Sequence, residues 1–151
     1  MNKKNKFHYF IIAGEDSGDL HGSHILRELK NINSNITFSG LGGRNMAIEG
    51  LMSFEPIENL SVMGFIEVLK RVFFFIKLKK RILKYIKESP PDKIILIDYP
   101  GFNLRLAQAI KKQCNIPIIY YISPQIWAWK ENRLKIIKKY IDHMIVIFPF
   151  E

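Results

Sequence analysis

Three polar clusters in the sequence each follow a short apolar segment, and they contain residue types that bind sugars or phosphates and transfer protons. The first cluster is Gly14-Glu15-Asp16-Ser17-Gly18-Asp19. Its glycines would let the backbone approach a ligand closely, and the N–H groups of a helix start favour an anion or polar hydroxyls. The spacing is not G-x-G-x-x-G and three acidic side chains would repel a pyrophosphate, so a dinucleotide fingerprint fits poorly. The alternative is a capped helix start, with Asp16 or Ser17 as the cap.

The second cluster is Asp98-Tyr99-Pro100-Gly101-Phe102-Asn103, directly after the apolar segment Ile94 to Ile97. A carboxylate at the mouth of a dry strand suits a general base, because desolvation raises the pKa of a carboxyl group. Asp98 is the candidate for that base, and Asn103 could orient a sugar hydroxyl. The alternative is a structural turn, although the very apolar strand before it favours a functional charge.

The third cluster runs from Ser123 to Lys130, with Arg133 shortly after it. Trp127 and Trp129 would point to different sides of a helix, so one can lie in the core while the other lines a cleft and stacks on a sugar ring. Lys130 and Arg133 are about one helical turn apart and could hold a phosphate. The alternative is a core tryptophan beside a solvated basic surface.

The segment from Val62 to Arg81 has a composition typical of a helix that enters a membrane interface. It is apolar on nearly all sides in its middle and basic towards its end. Three consecutive phenylalanines cannot all face one core, so at least one is exposed or meets a partner. Aromatic side chains flanked by Lys and Arg suit an anionic leaflet, and the alternative is a helix wedged between the sheet and a second domain. The predicted membrane or acyl-chain contacts are Met63, Phe65, Val72, Phe73, Phe74 and Phe75.

The composition is that of one globular domain with an excess of positive charge. The 151 residues are 48% hydrophobic and 25% charged, and their 23 Lys and Arg against 14 Asp and Glu give a net charge of +9. This charge favours anionic partners, although a lysine-rich coding bias would produce it too. The basic residues are spread along helices without a nucleic-acid-binding motif, so nucleic acid is not an expected partner.

The sequence predicts a protein that is cytoplasmic or lies on a membrane without crossing it. The single cysteine, Cys114, excludes an internal disulfide and indicates a reducing compartment. It has no His or second Cys at metal-ligand spacing. The basic first residues precede too short an apolar run for a signal peptide, and no segment has the ~20 apolar residues that span a bilayer.

Alternating strands and helices must position the three clusters. Apolar runs predict strands at 7–13, 36–39, 93–97, 116–122 and 143–148, and helical patterns predict helices at 18–31, 46–49, 63–87, 102–112 and 124–140. Ser123 is the expected N-cap of the last helix. This alternation predicts an α/β fold, with a Rossmann-like parallel sheet and helices on both faces, in one domain over 1–151. Ligands of such sheets bind beyond the carboxyl ends of the strands, where all three clusters fall.

Six segments, in order along the chain, resemble lipid-A-disaccharide synthases. They are Ala13-Gly14-Glu15-x-Ser17-Gly18-Asp19, Gly40-x-Gly42-Gly43-x-x-Met46, Ser61-Val62-Met63-Gly64-x-x-Glu67-Val68-Leu69, Ile97-Asp98-x-Pro100-x-Phe102-Asn103, Tyr121-Ile122-Ser123-Pro124-x-x-Trp127-Ala128-Trp129 and Phe148-Pro149-Phe150-Glu151. The third and fifth segments are the most specific. The departures are Asp16, where a small or neutral residue is usual, and Arg44, where proline is frequent.

The resemblance implies the N-terminal, acceptor-side domain of a GT-B glycosyltransferase, an enzyme with two Rossmann-like domains around a cleft. Such synthases transfer 2,3-diacylglucosamine from UDP-2,3-diacylglucosamine to the 6-hydroxyl of 2,3-diacylglucosamine 1-phosphate, giving the β-1,6-linked disaccharide 1-phosphate and UDP. The reaction is inverting and needs no metal or cofactor, so a single displacement assisted by a general base is expected.

The resemblance also implies roles for individual residues. Asp98 is the expected base, and Trp127 would form a wall of the cleft. The residues expected to bind or orient the acceptor are Gly14, Glu15, Ser17, Asp19, Asn103 and Ser123. Lys130 and Arg133 are expected at the acceptor's phosphate from their own chemistry. The Phe73-Phe74-Phe75 region and the basic surface are expected on the inner face of the inner membrane.

The chain ends just past a strand, at a point where a doubly wound protein would normally continue into a helix, which suggests a portion of a longer protein. The donor-binding C-terminal domain is absent from these 151 residues, so the chain alone is expected to be inactive. One alternative is another GT-B transferase that acts on a membrane lipid acceptor, such as an undecaprenyl carrier. The other is a non-catalytic membrane-surface module, in which Asp98 is only a turn residue.

Overall fold

A computed structural model describes residues 6–55, 67–123 and 131–147, which form a parallel sheet flanked by helices. The strands are β1 (Phe7–Ala13), β2 (Ile36–Leu41), β3 (Leu51–Ser53), β4 (Lys93–Ile97), β5 (Ile118–Tyr121) and β6 (His143–Ile145). The helices are α1 (Asp16–Ile32), α2 (Arg44–Ile48), α3 (Glu67–Glu88), α4 (Pro100–Lys111) and α5 (Glu131–Tyr140).

All neighbouring strands pair in parallel, in the order β3-β2-β1-β4-β5-β6. The chain therefore moves outward from β1 in one direction, returns through α3 and moves outward from β4 in the other. This is the doubly wound arrangement, in which the strand order reverses between β1 and β4. The predicted Rossmann-like α/β fold is confirmed.

The core lies in two layers, one on each face of the sheet. Phe10 and Ile12 of β1 pack towards α3 and α4, whereas Ile11 and Ala13 pack towards α1 and α2. All four side chains are fully buried. Successive side chains of a strand point to opposite faces, so a strand covered on both sides is a continuous apolar run. This explains why β1 and β4 were detectable from sequence.

Several element boundaries differ from the predictions. β3 was missed because it has only three residues and two of them are exposed, so no apolar run marks it. The helix α1 begins at Asp16 and α4 at Pro100, where the fixed φ of proline suits the first helical turn. The strand β5 is shorter than predicted, and the described part of the last helix begins at Glu131. The predicted start of that helix at Pro124 lies outside the described residues.

Within the described ranges, no helix combines the length with the apolar content that spanning a bilayer requires.

Candidate functional site

The reversal of strand order places the loops after β1 and β4 side by side at the carboxyl edge of the sheet. Ala13, at the end of β1, is paired with Ile97, at the end of β4. Gly14 and Asp98 are the next residues along the chain, so the first two polar clusters adjoin. A crevice at such a reversal is where open α/β sheets bind ligands.

Asp98 and Tyr99 form a left-handed turn between β4 and α4. Their φ angles are 44° and 46°, in a region that costs a residue with a Cβ atom roughly 1–2 kcal/mol. The Asp98 N–H donates to the Tyr121 carbonyl oxygen at 3.0 Å. The Asp98 carbonyl oxygen accepts from Asn103 Nδ2 at 2.8 Å and from the Tyr120 hydroxyl at 2.5 Å. The cluster is therefore a tightly held turn, and it keeps the half-buried Asp98 at the carboxyl edge.

Asn103 lies beneath this turn with no exposed surface. Its Nδ2 atom donates to the carbonyl oxygens of Ile97, at 3.2 Å, and Asp98. Its Oδ1 atom is buried and has no hydrogen-bond partner within the described part of the chain. This position argues against the predicted contact with a sugar hydroxyl, because the amide is enclosed and its donors are already used to hold the backbone.

Tyr120 was not predicted as a site residue, yet its hydroxyl supports the same turn. The side chain is fully buried. Burial raises the pKa of Tyr120 far above its usual value, the negative charge of Asp98 raises it further, and the positive charge of Arg133 acts in the opposite direction. The hydroxyl therefore stays protonated and remains a donor. A sequence signal existed, since strand alternation puts Tyr120 on the buried side with Ile118, beside the end of β4.

Gly14 gives room to the Tyr99 ring. A Cβ atom at Gly14 would lie 2.4 Å from two carbon atoms of that ring. The predicted close approach at Gly14 is thus made by Tyr99 in this structure. The contact ties the first polar cluster to the second, because the ring of the turn packs directly on the end of β1.

Glu15 and Ser17 are exposed at the start of α1. Glu15 is the N-cap residue, with extended backbone, and no side chain of the described residues caps the helix. The suggested cap by Asp16 or Ser17 is therefore wrong. Acidic side chains concentrate here, but no group of three or more His, Cys, Asp or Glu in the described ranges is placed to hold a metal ion. The exposed Glu15 and Ser17 lie at the start of α1, which follows the carboxyl end of β1.

Asp19 has a different surrounding, being only 3% exposed. Its Oδ1 atom accepts from the N–H groups of Gly43, at 2.7 Å, and Met46, at 3.1 Å. Its Oδ2 atom accepts from the N–H of Asn45 at 3.0 Å. These N–H groups belong to the start of α2, so the carboxylate acts as a cap for a second helix. The prediction that Asp19 binds the acceptor directly conflicts with this use of both oxygens.

Of the third polar cluster, the structure describes only Ser123, together with Arg133 beyond the cluster. Ser123 is half-buried and follows Ile122, whose φ angle is 67°. A β-branched residue in the left-handed region is a strained outlier, and such outliers concentrate at functional sites. All three non-glycine residues with positive φ in the described chain lie at the carboxyl ends of β4 and β5. Arg133 is half-buried on α5, and Trp127 and Lys130 lie outside the described residues.

An apolar groove of about 420 Å³ runs between α3 and α4 and reaches Tyr99. Its walls are Val72, Phe75, Ile76, Lys79, Tyr99, Gly101, Phe102 and Arg105. The Phe75 ring lies 5.4 Å from Phe102 and 6.2 Å from Tyr99, between ring centroids. The groove therefore joins the α3 helix to the turn at Asp98.

The three consecutive phenylalanines have unequal surroundings, as the sequence predicted. Phe73 is 65% exposed, whereas Phe74 and Phe75 are half-buried and pack against the core. Val72 is also exposed. Met63 and Phe65, which were predicted to share this role, lie outside the described residues.

A larger groove, of about 740 Å³, lies at the opposite end of α3. It is lined by Lys80, Leu83, Lys84, Ile86, Lys87, Pro90, Gln113, Cys114 and Ile116. None of the predicted site residues borders it. Its size alone does not make it the site, because the strained turn and the strand-order reversal are at the other edge of the sheet.

Comparison with known proteins gives consistent matches over nearly the whole chain. Residues 9–151 match the model of the family described as lipid-A-disaccharide synthetase. A lipid-A-disaccharide synthase of Coxiella burnetii (strain Dugway 5J108-111) is 45% identical over 141 residues, which are 93% of this chain and 37% of the relative. A lipid-A-disaccharide synthase 1 of Legionella pneumophila (strain Paris) is 44% identical, and a synthase of Trichlorobacter lovleyi is 46% identical, each with the same shares. The chain thus spans little more than a third of the length of these relatives.

Proposed function

The chain belongs to the lipid-A-disaccharide synthetase family, and on that premise we propose that it is the acceptor-side half of a GT-B glycosyltransferase of lipid A biosynthesis. The proposed reaction moves 2,3-diacylglucosamine from its UDP donor to the 6-hydroxyl of 2,3-diacylglucosamine 1-phosphate. The observation that carries the proposal is the position of Asp98, in a turn at the strand-order reversal beside Gly14 and Glu15. The donor nucleotide would be bound outside the segment that aligns with this chain, which is 37% of the Coxiella burnetii relative.

Asp98 is the proposed general base. Its carboxylate would take the proton from the acceptor's 6-hydroxyl as that oxygen attacks the anomeric carbon of the donor. The new C–O bond forms while the bond from the anomeric carbon to UDP breaks, and UDP leaves with the electron pair. Attack from the side opposite the leaving group inverts the anomeric centre. A positioned carboxylate contributes to such a step by about 10²–10⁴-fold.

The exposed start of α1 is the proposed site for the acceptor's sugar hydroxyls. Glu15 and Ser17 are exposed there and adjoin the Asp98 turn. Arg133 is half-buried on α5. Its positive charge acts to lower the pKa of Tyr120, which lies beneath the same turn. Arg133 is therefore a candidate for the acceptor's phosphate, with Lys130 as its predicted companion and Trp127 as a predicted cleft wall. Asp19 and Asn103 would act from below, by holding the backbone.

The groove between α3 and α4 is the proposed site for an acyl chain of the acceptor. It is mostly apolar and ends at Tyr99, next to the proposed base. Lys79 and Arg105 lie on its walls and would stay close to anionic groups at the surface. An acyl chain placed here would leave its sugar at the carboxyl edge of the sheet.

One face of α3 is the proposed membrane-docking surface, which would place the protein on the inner face of the inner membrane. Phe73 and Ile76 are exposed in the first half of the helix. The exposed lysines that follow at helical spacing on the same side are Lys77, Lys80, Lys84 and Lys87. An apolar patch with a row of lysines matches an anionic leaflet, to which each lysine adds about 1 kcal/mol.

The experiment that tests the proposed function is a transfer assay on a protein extended past Glu151 to the length of the relatives. UDP-diacylglucosamine and diacylglucosamine 1-phosphate should give the disaccharide 1-phosphate, identified by mass spectrometry, and UDP. The 151-residue chain should give no product. A folded extended protein that fails with this pair but glycosylates a polyprenyl phosphate would replace the proposal with the other transferase class. A protein that only binds anionic vesicles would reduce it to a membrane-surface module.

A further inference from the structure

We infer that Tyr120 and Asn103 are positioning residues that clamp the backbone carbonyl of Asp98 and so aim its carboxylate into the cleft. This inference rests on the proposed function, in which Asp98 is the general base. It concerns two buried side chains that would not touch the substrate.

The turn requires outside support. Asp98 and Tyr99 are consecutive residues with left-handed φ angles, and neither is a glycine, for which that region is free of strain. The backbone angles of Asp98 set the direction of its Cα–Cβ bond, and hence where the carboxylate points. A relaxation of this turn towards ordinary angles would swing the carboxylate away from its present direction.

Two donors fix the carbonyl oxygen of Asp98 from different elements. The Tyr120 hydroxyl reaches it from β5, at 2.5 Å, and Asn103 Nδ2 reaches it from α4, at 2.8 Å. The two hydrogen bonds use both acceptor positions of the carbonyl. The neighbouring strand adds a third constraint, since the Asp98 N–H donates to Tyr121.

Neither donor can easily change its role. Tyr120 and Asn103 both have no exposed surface, and the raised pKa of Tyr120 keeps its proton on the hydroxyl. A flip of the Asn103 amide would turn Oδ1 towards two carbonyl oxygens, those of Ile97 and Asp98. The present orientation is therefore the favourable one even though it leaves Oδ1 without a described partner. Leaving a buried Oδ1 atom without a hydrogen bond costs free energy, so the two hydrogen bonds that Nδ2 donates must stabilise the turn by more than that cost.

A purely structural role is the competing explanation, because a buried tyrosine hydroxyl usually finds an acceptor somewhere. The two explanations differ in how Tyr120 is coupled to Asp98. A clamp acts on catalysis only through the carboxylate of Asp98. A structural contact would affect stability and activity whether or not that carboxylate is present.

A double-mutant cycle on the extended enzyme separates them. The variants are Tyr120→Phe, Asp98→Asn and the two combined, each assayed for kcat, for KM of the acceptor and for thermal unfolding. We expect Tyr120→Phe to lower kcat about tenfold, which corresponds to the loss of one well-placed hydrogen bond, with KM changed less than about twofold. In the Asp98→Asn background, the same change should lower kcat by less than about twofold.

Tyr85→Phe is the matched control. Tyr85 packs in the same core layer, with its ring 4.5 Å from that of Phe54, and its hydroxyl makes no hydrogen bond within the described part of the chain. This change should leave kcat unaltered. Asn103→Ala removes the second donor and provides an independent cycle with the same expected pattern should Tyr120→Phe fold poorly.

The outcomes distinguish the clamp from the proposed function. If Asp98→Asn lowers kcat about 10²–10⁴-fold but leaves measurable transfer, and Tyr120→Phe is silent or lowers kcat by the same factor in both backgrounds, the clamp is wrong and the base stands. If Asp98→Asn leaves kcat unchanged, Asp98 is not the general base, and the positioning role of Tyr120 and Asn103 is wrong as well. Loss of the Tyr120 effect specifically in the Asp98→Asn background supports both.

Discussion

The loop after β1 and the loop after β4 each carry an aspartate near the same edge of the sheet, but the protein grips the two residues by different atoms. Asp19 is held by its carboxylate, which accepts three backbone N–H groups and is almost wholly buried. Asp98 is held by its backbone, through its N–H and its carbonyl oxygen, and is only half-buried. A carboxylate filled by backbone donors stabilises the fold, whereas a fixed backbone can present a carboxylate to a ligand. Asp19→Ala and Asp98→Asn test this difference directly, and substitutions elsewhere in the chain show how far it extends.

The largest loss of stability is expected from Asp19→Ala. The change removes a buried acceptor of three N–H groups, so we expect the free energy of unfolding to fall by about 3 kcal/mol. Urea denaturation followed by circular dichroism measures it. Asp16→Ala, at an exposed position of the same helix, is the control and should change the value by less than about 0.5 kcal/mol. A drop of under about 1 kcal/mol for Asp19→Ala would mean that its carboxylate is not structural.

Gly14→Ala should disturb the link between the two loops. The new Cβ atom would meet the Tyr99 ring at 2.4 Å, and displacing a packed ring typically costs about 1–3 kcal/mol. The ring belongs to the Asp98 turn, so transfer activity should fall together with stability. For stability, Gly101→Ala is a matched control, because nothing lies within 4 Å of a Cβ atom there. Equal losses of stability from the two changes would contradict the packing explanation.

Phe73→Ser should weaken membrane binding and leave the aspartate sites intact. Phe73 is 65% exposed, so its loss should hardly change folding, while partitioning onto anionic vesicles should fall about tenfold. Sedimentation with phosphatidylglycerol-containing vesicles measures the partition. Ile32→Ser, at an apolar position on α1 that is even more exposed, at 81%, should have no such effect. Equal partitioning of both variants would contradict docking through α3.

A third aspartate, Asp142, lies at the amino edge of the sheet and shows how much an ordinary, partly exposed ion pair contributes to stability. It accepts from the Ile118 N–H at 2.7 Å and pairs with Lys111 Nζ at 2.8 Å. Partial burial opposes ionisation, but the hydrogen bonds from Lys111 and Ile118 outweigh it and lower the pKa of Asp142. A pKa lowered in the folded state means that the unfolded state binds the proton more tightly. The stabilisation is therefore present above the unfolded pKa, and is lost as pH falls through the lower folded value.

We expect Asp142→Asn to lower the free energy of unfolding at neutral pH by less than about 1 kcal/mol, since the pair is partly exposed. The difference from the unsubstituted protein should shrink as the pH falls through the lowered folded pKa of Asp142, because the folded state then loses the charged carboxylate. Urea denaturation at a series of pH values measures it. A difference that grows as the pH falls would reverse the assigned direction.

Sequence patterns were sufficient for the architecture because the central strands are buried on both faces. The apolar runs of β1 and β4 and the polar residues after them follow from that burial, and the Gly14 and Asp98 clusters were placed at the correct edge. Local patterns could not show what each polar side chain contacts. The Asp19 bonds reach 24 to 27 residues along the chain, and the Tyr120 bond reaches 22. Tyr120 was missed because only the fold brings it beneath the Asp98 turn. Asn103 donates to carbonyl oxygens only five and six residues away, but no sequence pattern shows that its amide is enclosed.

The short elements escaped prediction for a related reason. β3 pairs with β2 through only three residues, Leu51 to Ser53, and its order depends on the neighbouring strand. The turn at Asp98 and Tyr99 was recognised as a turn, but its left-handed backbone is set by the surrounding hydrogen bonds and not by a glycine. Hydrogen bonds between residues that are distant in sequence, such as that from Tyr120 to Asp98, leave no local pattern from which they could be predicted.

The measurement that tests the central claim most directly is the kcat of Asp98→Asn in the extended enzyme, taken together with its melting temperature. We expect kcat to fall by about 10²–10⁴-fold while the melting temperature stays within about 2 °C of the unsubstituted protein. An Asp98→Asn enzyme that keeps its kcat within a factor of about three would contradict the assignment of Asp98 as the general base.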